Sequence, residues 1–143
     1  MNTTLEIFKC TTKTELSLIY ADEGVQAGFP SPAQDFLEHA LDFNRDMVKN
    51  PDATFYARVK GESMIDEGIT TGDILVIDRS LTAKYGNLTV CAIDGEFTLK
   101  RLKLENEKIS LIPANTYFSP IEITEDMEFI LWGVVIFVIK KTY

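Results

Sequence analysis

The sequence predicts a mainly β domain with one main N-terminal helix and an extended N-terminal arm. Two observations predict the sheet. After residue 54, strand-length runs rich in β-branched and aromatic residues follow one another. Asp94-Gly95 separates two of these runs and is typical of a two-residue hairpin turn. A break rich in proline and glycine at residues 27–32 separates the arm from the rest. The 143 residues are enough for one domain with its own core.

Residues 1–27 form the predicted arm. Its apolar patches, at residues 5–8 and 16–20, are short and separated by Thr, Lys and Glu, so they cannot form a core alone. Two interpretations stay open: an arm that docks on another surface, or a frayed terminus. The first residues lack the basic start and continuous apolar stretch of a signal peptide.

A helix is expected directly after the break. Ser31 is a suitable N-cap, Pro32 suits the first helical position, and Gln34 completes a capping box with Ser31. Apolar residues then recur at helical spacing: Phe36, Leu37, Ala40, Leu41, Met47 and Val48. Asn50-Pro51 is expected to end this helix, which would carry His39 on its surface.

Seven strands are predicted in the remainder of the chain. They are Thr54–Lys60, Asp73–Asp78, Leu88–Ile93, Glu96–Leu102, Lys108–Ile112, Ile121–Ile123 and Phe129–Lys140. The last contains an apolar run of 11 residues, Phe129–Ile139, whereas a helix that crosses a bilayer needs about 20. We therefore interpret this run as a buried strand, either central in the core or at the seam of a dimer.

Charge and cysteine content exclude several function classes. The net charge of −8 argues against direct nucleic acid binding, which depends on clustered Lys and Arg. A protein this acidic that works near DNA is expected to act through another protein. Cys10 and Cys91 are not in a CxxC arrangement and there is one histidine, so we expect no metal site, no cofactor, and free thiols. We also expect a cytoplasmic protein that does not contact a membrane.

Ser63 and Lys100 are the candidate catalytic residues. A serine hydroxyl becomes a nucleophile when a base takes its proton, and a lysine in an apolar pocket can be that base. Lowering the lysine pKa from about 10.4 to about 7 requires a bias of roughly 4–5 kcal/mol toward the amine. Strand alternation places Thr98, Lys100 and Leu102 on one face. The alternatives are a structural loop serine and a solvated edge lysine.

Several short motifs follow one another along the chain, and the ordered set is more specific to a protein family than any single motif. They are Ala27-Gly28-Phe29-Pro30-Ser31-Pro32-Ala33, Gly61-Glu62-Ser63-Met64-Ile65-Asp66, Gly72-Asp73, Asp94-Gly95-Glu96-Phe97-Thr98-Leu99-Lys100 and Gly133-Val134-Val135. Together they resemble the UmuD family of self-cleaving proteins, which is related to the catalytic domain of the LexA repressor and more distantly to signal peptidases. The resemblance covers the chain from about residue 20 onward.

The resemblance implies a LexA/signal-peptidase-like β-rich catalytic domain, with residues 1–27 as a cleavable arm and residues 28–143 as the peptidase and dimerisation domain. It implies Ser63 as nucleophile, Lys100 as general base, and Ala27-Gly28 as the bond that is cut. The backbone amides of Glu62 and Ser63 would hold the oxyanion. Ala27 stands where cysteine is common in the family, and Glu62 where aspartate is common; neither change affects the Ser-Lys pair.

The resemblance also implies partners and a pathway. Family members are homodimers, a RecA–single-stranded DNA filament stimulates their cleavage in the SOS response, and the processed form joins a UmuC-type subunit of an error-prone translesion polymerase. The main alternative is a non-catalytic dimeric β-rich module that binds a DNA-repair partner. A LexA- or phage-type repressor would need a DNA-binding domain, which about 27 residues are not expected to hold. A membrane signal peptidase would need an anchor that the sequence does not show.

Overall fold

The structure, a computed structural model, describes residues 4–9, 17–21 and 37–142. The chain divides into two compact units. One consists of residues 1–10 and 52–143, and the other of residues 11–51. The first unit contains both candidate catalytic residues.

The smaller unit pairs two antiparallel strands, β2 (Ser17–Ala21) and β3 (Leu37–Asp42), and has one short helix, α1 (Phe43–Met47). The predicted main helix is therefore wrong over residues 37–42, and His39 lies on a strand. Short apolar runs suit either a helix or a strand, and here pairing with β2 overrides the helical spacing. The proposed capping residues Ser31, Pro32 and Gln34 lie outside the described residues.

The larger unit is one antiparallel sheet of eight strands in the order β1-β4-β5-β10-β6-β7-β8-β9. Its strands are β1 (Thr4–Lys9), β4 (Thr54–Lys60), β5 (Ile74–Asp78), β6 (Leu88–Ile93), β7 (Glu96–Glu105), β8 (Lys108–Ile112), β9 (Ile121–Glu122) and β10 (Phe129–Ile139). Short 3₁₀ turns cover Pro51–Ala53 and Ile65–Glu67. The mainly β prediction and all seven predicted strands are confirmed, with ends that differ by up to three residues.

The hairpin between β6 and β7 has the predicted turn. Asp94 and Gly95 have φ values of 50° and 84°, as both central positions of a type I′ turn require. Ile93 pairs with Glu96 across the turn, which fixes the register that places Lys100 opposite Thr89.

Strand β10 lies inside the sheet, between β5 and β6. Its pairing shifts register between Leu131 and Gly133, and a Cβ atom on Gly133 would lie 2.5 Å from Ile77 Cγ2, so only glycine fits there. Gly133 and Val134 in the middle of β10 are buried, whereas Ile130 near its start is 55% exposed, so the predicted buried strand is buried only in its middle. Its last residues, Phe137–Ile139, expose large apolar side chains, and a dimer seam at this end remains a prediction.

Buried apolar side chains form two clusters. The larger cluster includes Met64, Leu75, Ile77, Val90 and Leu99. The smaller consists of Cys91, Leu102 and Leu111. Leu99 and Leu102 of β7 are an odd number of positions apart and lie on opposite faces, so they contribute to different clusters. Over the ranges that the structure describes, no helix combines the length and the apolar character needed to span a membrane.

Candidate active site

Lys100 is buried in the middle of strand β7. Only 1% of the residue is exposed, so the alternative of a solvated edge lysine is wrong. Thr98 lies on the same face of β7. Across to β6, Lys100 pairs with Thr89 and Thr98 pairs with Cys91. The lysine stem therefore runs along a strand face that other buried residues occupy.

Ser63 lies in the turn that follows β4. Gly61, with φ of 120°, begins this turn, a conformation that residues with a Cβ rarely adopt. Ser63 itself is 0% exposed. Only four residues separate the end of β4 at residue 60 from the 3₁₀ turn that begins at residue 65. The serine is one of these four, so it is held close to the sheet.

Contacts from distant parts of the chain hold this turn. Ala114 N donates a hydrogen bond to the Ser63 carbonyl oxygen at 2.8 Å. Asn115 Nδ2 donates to the Glu62 carbonyl oxygen, also at 2.8 Å. On the other side, Gly61 N donates to Thr71 Oγ1 at 2.9 Å. The backbone on both sides of the serine is therefore fastened.

The two candidate side chains meet. Lys100 Nζ lies 3.0 Å from Ser63 Oγ and 2.8 Å from Thr98 Oγ1, and it donates to both hydroxyl oxygens. Among the described residues, these two hydroxyls are its hydrogen-bond partners and no carboxylate forms an ion pair with it. If Lys100 loses its proton, the same contact lets the Ser63 hydroxyl donate to the amine.

Burial lowers the pKa of Lys100 from 10.5 to about 8. The nearby Cys91 opposes this effect, since a thiolate there would favour the ammonium form. Burial also raises the pKa of Cys91, which keeps that thiol protonated at neutral pH. A substantial fraction of neutral amine near pH 8 is the chemical requirement for a lysine base.

The other predicted site residues are those of the bond to be cut and the donors to the oxyanion. Ala27 and Gly28, and also Cys10, lie outside the described residues. The amides of Glu62 and Ser63 remain predicted oxyanion donors. Among the residues that the structure describes, no three His, Cys, Asp or Glu side chains are close enough to hold a metal ion.

Sequence reasoning missed two contributors to the site. Thr98 orients the lysine amine, and its position two residues before Lys100 on one strand could have identified it. Asn115 holds the nucleophile turn from 53 residues along the chain, and no local pattern indicates that contact.

A cavity of about 360 Å³ lies at the turn of the β6–β7 hairpin. Its lining residues are Ile93, Asp94, Glu96, Phe97, Thr98 and Ile121. Thr98 belongs both to this cavity and to the hydrogen-bonded group around the amine.

Comparison with known proteins shows the family of this chain. Residues 18–136 match the Peptidase S24-like family. The protein MucA of Salmonella typhimurium is 41% identical over 133 residues, which are 92% of this chain and 90% of MucA. The protein SamA of Salmonella typhimurium strain LT2 is 40% identical over 120 residues, 84% of this chain and 83% of SamA.

A repressor is also similar. LexA repressor 1 of Xanthomonas oryzae pv. oryzae is 39% identical over 110 residues, which are 76% of this chain and 54% of the repressor. The chain belongs to the Peptidase S24-like family, and its likeness to MucA and SamA makes it a UmuD-type, LexA-like member.

Proposed function

We propose that this protein is a self-cleaving serine endopeptidase with a Ser-Lys dyad that cuts between Ala27 and Gly28 during the SOS response. The observation that carries the proposal is the 3.0 Å contact between Lys100 Nζ and Ser63 Oγ, both buried and with no carboxylate paired to the amine among the described residues. Family membership supports the same class of chemistry.

The first half-reaction follows from that contact. Neutral Lys100 accepts the proton of the Ser63 hydroxyl while the oxygen attacks the carbonyl carbon of Ala27. The tetrahedral intermediate collapses, the bond between Ala27 and Gly28 breaks, and the Lys100 ammonium returns its proton to the Gly28 amine. The products are an ester that joins the Ala27 carbonyl to Ser63 Oγ and a free amino terminus at Gly28.

Water completes the second half-reaction. Lys100 takes a proton from the water, which attacks the ester carbonyl. The ester bond breaks, the ammonium returns the proton to the Ser63 oxygen, and Ala27 becomes a carboxylate terminus. Each proton that the lysine takes is given back, so the site is restored.

The nucleophile turn is suited to stabilise the oxyanion. We propose that the amides of Glu62 and Ser63 donate to it, since the positive φ of Gly61 permits a sharp turn directly before them. The bond from Asn115 Nδ2 to the Glu62 carbonyl oxygen supports a fixed orientation of the peptide unit that carries the Ser63 amide. Thr71 Oγ1 donates at 3.5 Å to the Gly61 carbonyl oxygen, which belongs to the peptide unit that carries the Glu62 amide.

The substrate segment has suitable chemistry. Small Ala27 and Gly28 allow close approach of the backbone to the nucleophile, and Pro30 and Pro32 favour an extended chain. A segment of the same chain, or of a partner in a dimer, has a high effective concentration, so a modest catalyst suffices. A partner that shifts the arm toward Ser63 can then control the reaction.

The role in the cell is proposed from the family. Likeness to MucA and SamA supports a function in SOS mutagenesis. We propose a cytoplasmic homodimer whose cleavage a RecA–single-stranded DNA filament stimulates. Residues 28–143 then act as the accessory subunit of an error-prone translesion polymerase with a UmuC-type partner. The net charge of −8 agrees with action through proteins rather than direct DNA binding.

The decisive experiment is intact mass after incubation with activated RecA filament. Wild type is expected to yield the mass of residues 28–143. Ser63→Ala and Lys100→Ala are expected to fold and to keep the mass of the full chain. Persistent cleavage of Ser63→Ala would exclude Ser63 as the nucleophile. A wild type that stays intact both with RecA and at alkaline pH would favour the non-catalytic binding module.

The pH dependence of cleavage tests the base. Because the neutral amine is the reactive form and its pKa is about 8, the rate without RecA should rise about tenfold from pH 7 to pH 9 and then level off. First-order rates from mass measurements give the profile. A flat rate between pH 7 and pH 10 would contradict the role of Lys100.

A further inference from the structure

Both described strands of the proposed arm pair with strands on the far side of the proposed cut. β1 (Thr4–Lys9) pairs with β4, and β2 (Ser17–Ala21) pairs with β3. Residues 27 and 28 lie between the members of each pair in sequence. Hydrolysis of that peptide bond therefore removes the covalent link but neither of the two strand pairings.

The pairing of β1 with β4 is continuous. Six residues are in antiparallel register, from Thr4 opposite Lys60 to Lys9 opposite Phe55. β1 is at the edge of the sheet, so it covers the side of β4 that β5 does not use. Without β1, this side of β4 would present unpaired backbone groups, which readily accept another strand.

Charge complementarity fixes the strand in this register. Glu6 forms ion pairs with Arg58 and Lys60 of β4. The hydrogen bond from Lys60 lowers the pKa of Glu6, as does the nearby Arg58 guanidinium. Arg58 also stacks over the ring of Phe8, with 5.6 Å between the guanidinium carbon and the ring centroid.

Apolar contacts hold the other face. Leu5 and Ile7 are half-buried and pack against the larger core cluster. Alternate residues of β1 thus face the core and the two basic side chains of β4. The backbone of β1 is hydrogen-bonded, its apolar face is packed and its Glu6 is paired with basic residues. A strand with all three kinds of contact behaves as a bound peptide ligand and not as a frayed terminus.

We propose that the outer edge of β4 is a strand-docking site that residues 4–9 continue to occupy after the cut, so that peptide 1–27 stays bound to residues 28–143 without a covalent link. The inference rests on the proposed function only for the cut itself. Two strand pairings in one peptide reinforce each other, since release requires both to open together. Cleavage and loss of the arm are then separate steps.

The test compares denaturing and native mass spectra of the full chain after cleavage. A denaturing spectrum should show two pieces, and a native spectrum at micromolar concentration should show their summed mass. A second chain carries Ser63→Ala and the recognition sequence of an unrelated site-specific protease in place of residues 24–30. It is cut whether or not the chain has activity of its own.

A set of charge variants tests the docking site. Glu6→Lys should speed release of the cut peptide at least tenfold, because two attractions become repulsions. Combining Glu6→Lys with Arg58→Glu and Lys60→Glu should restore retention. Lys9→Glu, a charge reversal at a strand position for which the structure gives no ion pair with a described residue, is the matched control and should release at the wild-type rate.

The outcomes separate the two proposals. Cleavage of the chain with the inserted site, followed by retention of the peptide and by release in Glu6→Lys, supports the docking site even if wild type never cuts itself. Immediate appearance of residues 28–143 alone in the native spectrum overturns it, even if wild type cleaves as proposed. Equal release rates for Glu6→Lys and Lys9→Glu also overturn it.

Discussion

Two lysines of the larger unit, Lys140 and Lys100, differ in burial and in the groups that their amines contact. Lys140, just beyond β10, donates to both carboxylate oxygens of Asp73, at 2.9 and 2.8 Å, and to Thr70 Oγ1 at 3.0 Å. Its side chain is 43% exposed, whereas that of Asp73 is 4% exposed. Lys100, in β7, is almost fully buried and faces two hydroxyls.

This difference explains why Lys140 stabilises the fold through an ion pair, whereas Lys100 is suited to act as a base. The carboxylate of Asp73 gives Lys140 a partner of opposite charge, so the pair ties the end of β10 to the loop before β5. Lys100 has burial without that compensation, and its pKa falls to about 8. A buried lysine becomes a base when its neighbours are polar but uncharged.

The largest expected effect comes from replacing each lysine by arginine. Lys100→Arg should reduce self-cleavage by at least about 10²–10⁴-fold, because guanidinium does not release its proton at these pH values. Lys140→Arg should cleave within about twofold of wild type, since arginine also pairs with Asp73. First-order loss of the intact mass at pH 9 measures both. Equal rates for the two variants would contradict the comparison.

Giving Lys100 a carboxylate partner should make it resemble Lys140. Thr98→Asp places a negative charge beside the amine, which should raise the pKa of Lys100 by about 1–3 units. The midpoint of the pH–rate profile should move above 9, and cleavage at pH 7 should fall about tenfold or more.

Thr98→Asn is the matched control for Thr98→Asp, because asparagine has nearly the same shape as aspartate but carries no charge. Its midpoint should stay near 8 even if a misplaced amine lowers the plateau rate. Circular dichroism establishes that both variants fold. A common midpoint for Thr98→Asp and Thr98→Asn would show that charge is not what distinguishes the two lysines.

The smallest expected effects are on stability, measured in a Ser63→Ala background so that no chain cuts itself. Lys100→Met should raise the free energy of unfolding at pH 7 by about 1–3.5 kcal/mol. The upper bound is the shift from 10.5 to about 8, at about 1.4 kcal/mol per unit. The lower bound allows for the lost hydrogen bond to Thr98 Oγ1, since the Ser63 hydroxyl is already absent in this background.

The pH dependence of this gain has a definite sign. The folded-state pKa of Lys100 lies below the unfolded value, so between pH 8 and 10.5 the unfolded chain holds more protons and stability rises with pH. The advantage of Lys100→Met should therefore be greatest below pH 8 and fade by about pH 10.5. Urea unfolding at pH 7 and 10.5 measures it; a gain independent of pH would contradict the assigned cause.

Asp73→Asn should have the opposite effect to Lys100→Met on the free energy of unfolding. It removes the charged partner of Lys140 and should lower the free energy of unfolding by about 1–3 kcal/mol at pH 7. An unchanged urea midpoint would show that this ion pair does not stabilise the fold.

The strands after residue 54 could be predicted because their signals are local. The turn Asp94-Gly95 and two-residue alternation define the β6–β7 hairpin, and with it the face on which Lys100 lies. Burial of that face could not be read from β7 alone, since it depends on the residues that pack on it from elsewhere in the chain. For this reason the solvated-lysine alternative stayed open until the structure resolved it.

The segment after Leu37 shows where local signals fail. Its apolar spacing fits a helix, but β2 offers residues 37–42 a strand partner, and backbone pairing decides the outcome. The contact between Ser63 and Lys100 was implied by the family resemblance and not by periodicity. The support from Asn115 had no sequence signal, because a bond across 53 residues leaves no local pattern.

The fastening of the Ser63 turn by Ala114 and Asn115 has a consequence for biosynthesis. The ribosome releases the arm and the serine well before it releases these two residues. Until they join the fold, the turn lacks the bonds that hold the carbonyls of residues 62 and 63. Under the proposed function, a nascent chain that has not yet reached residue 115 lacks part of the support for its nucleophile turn.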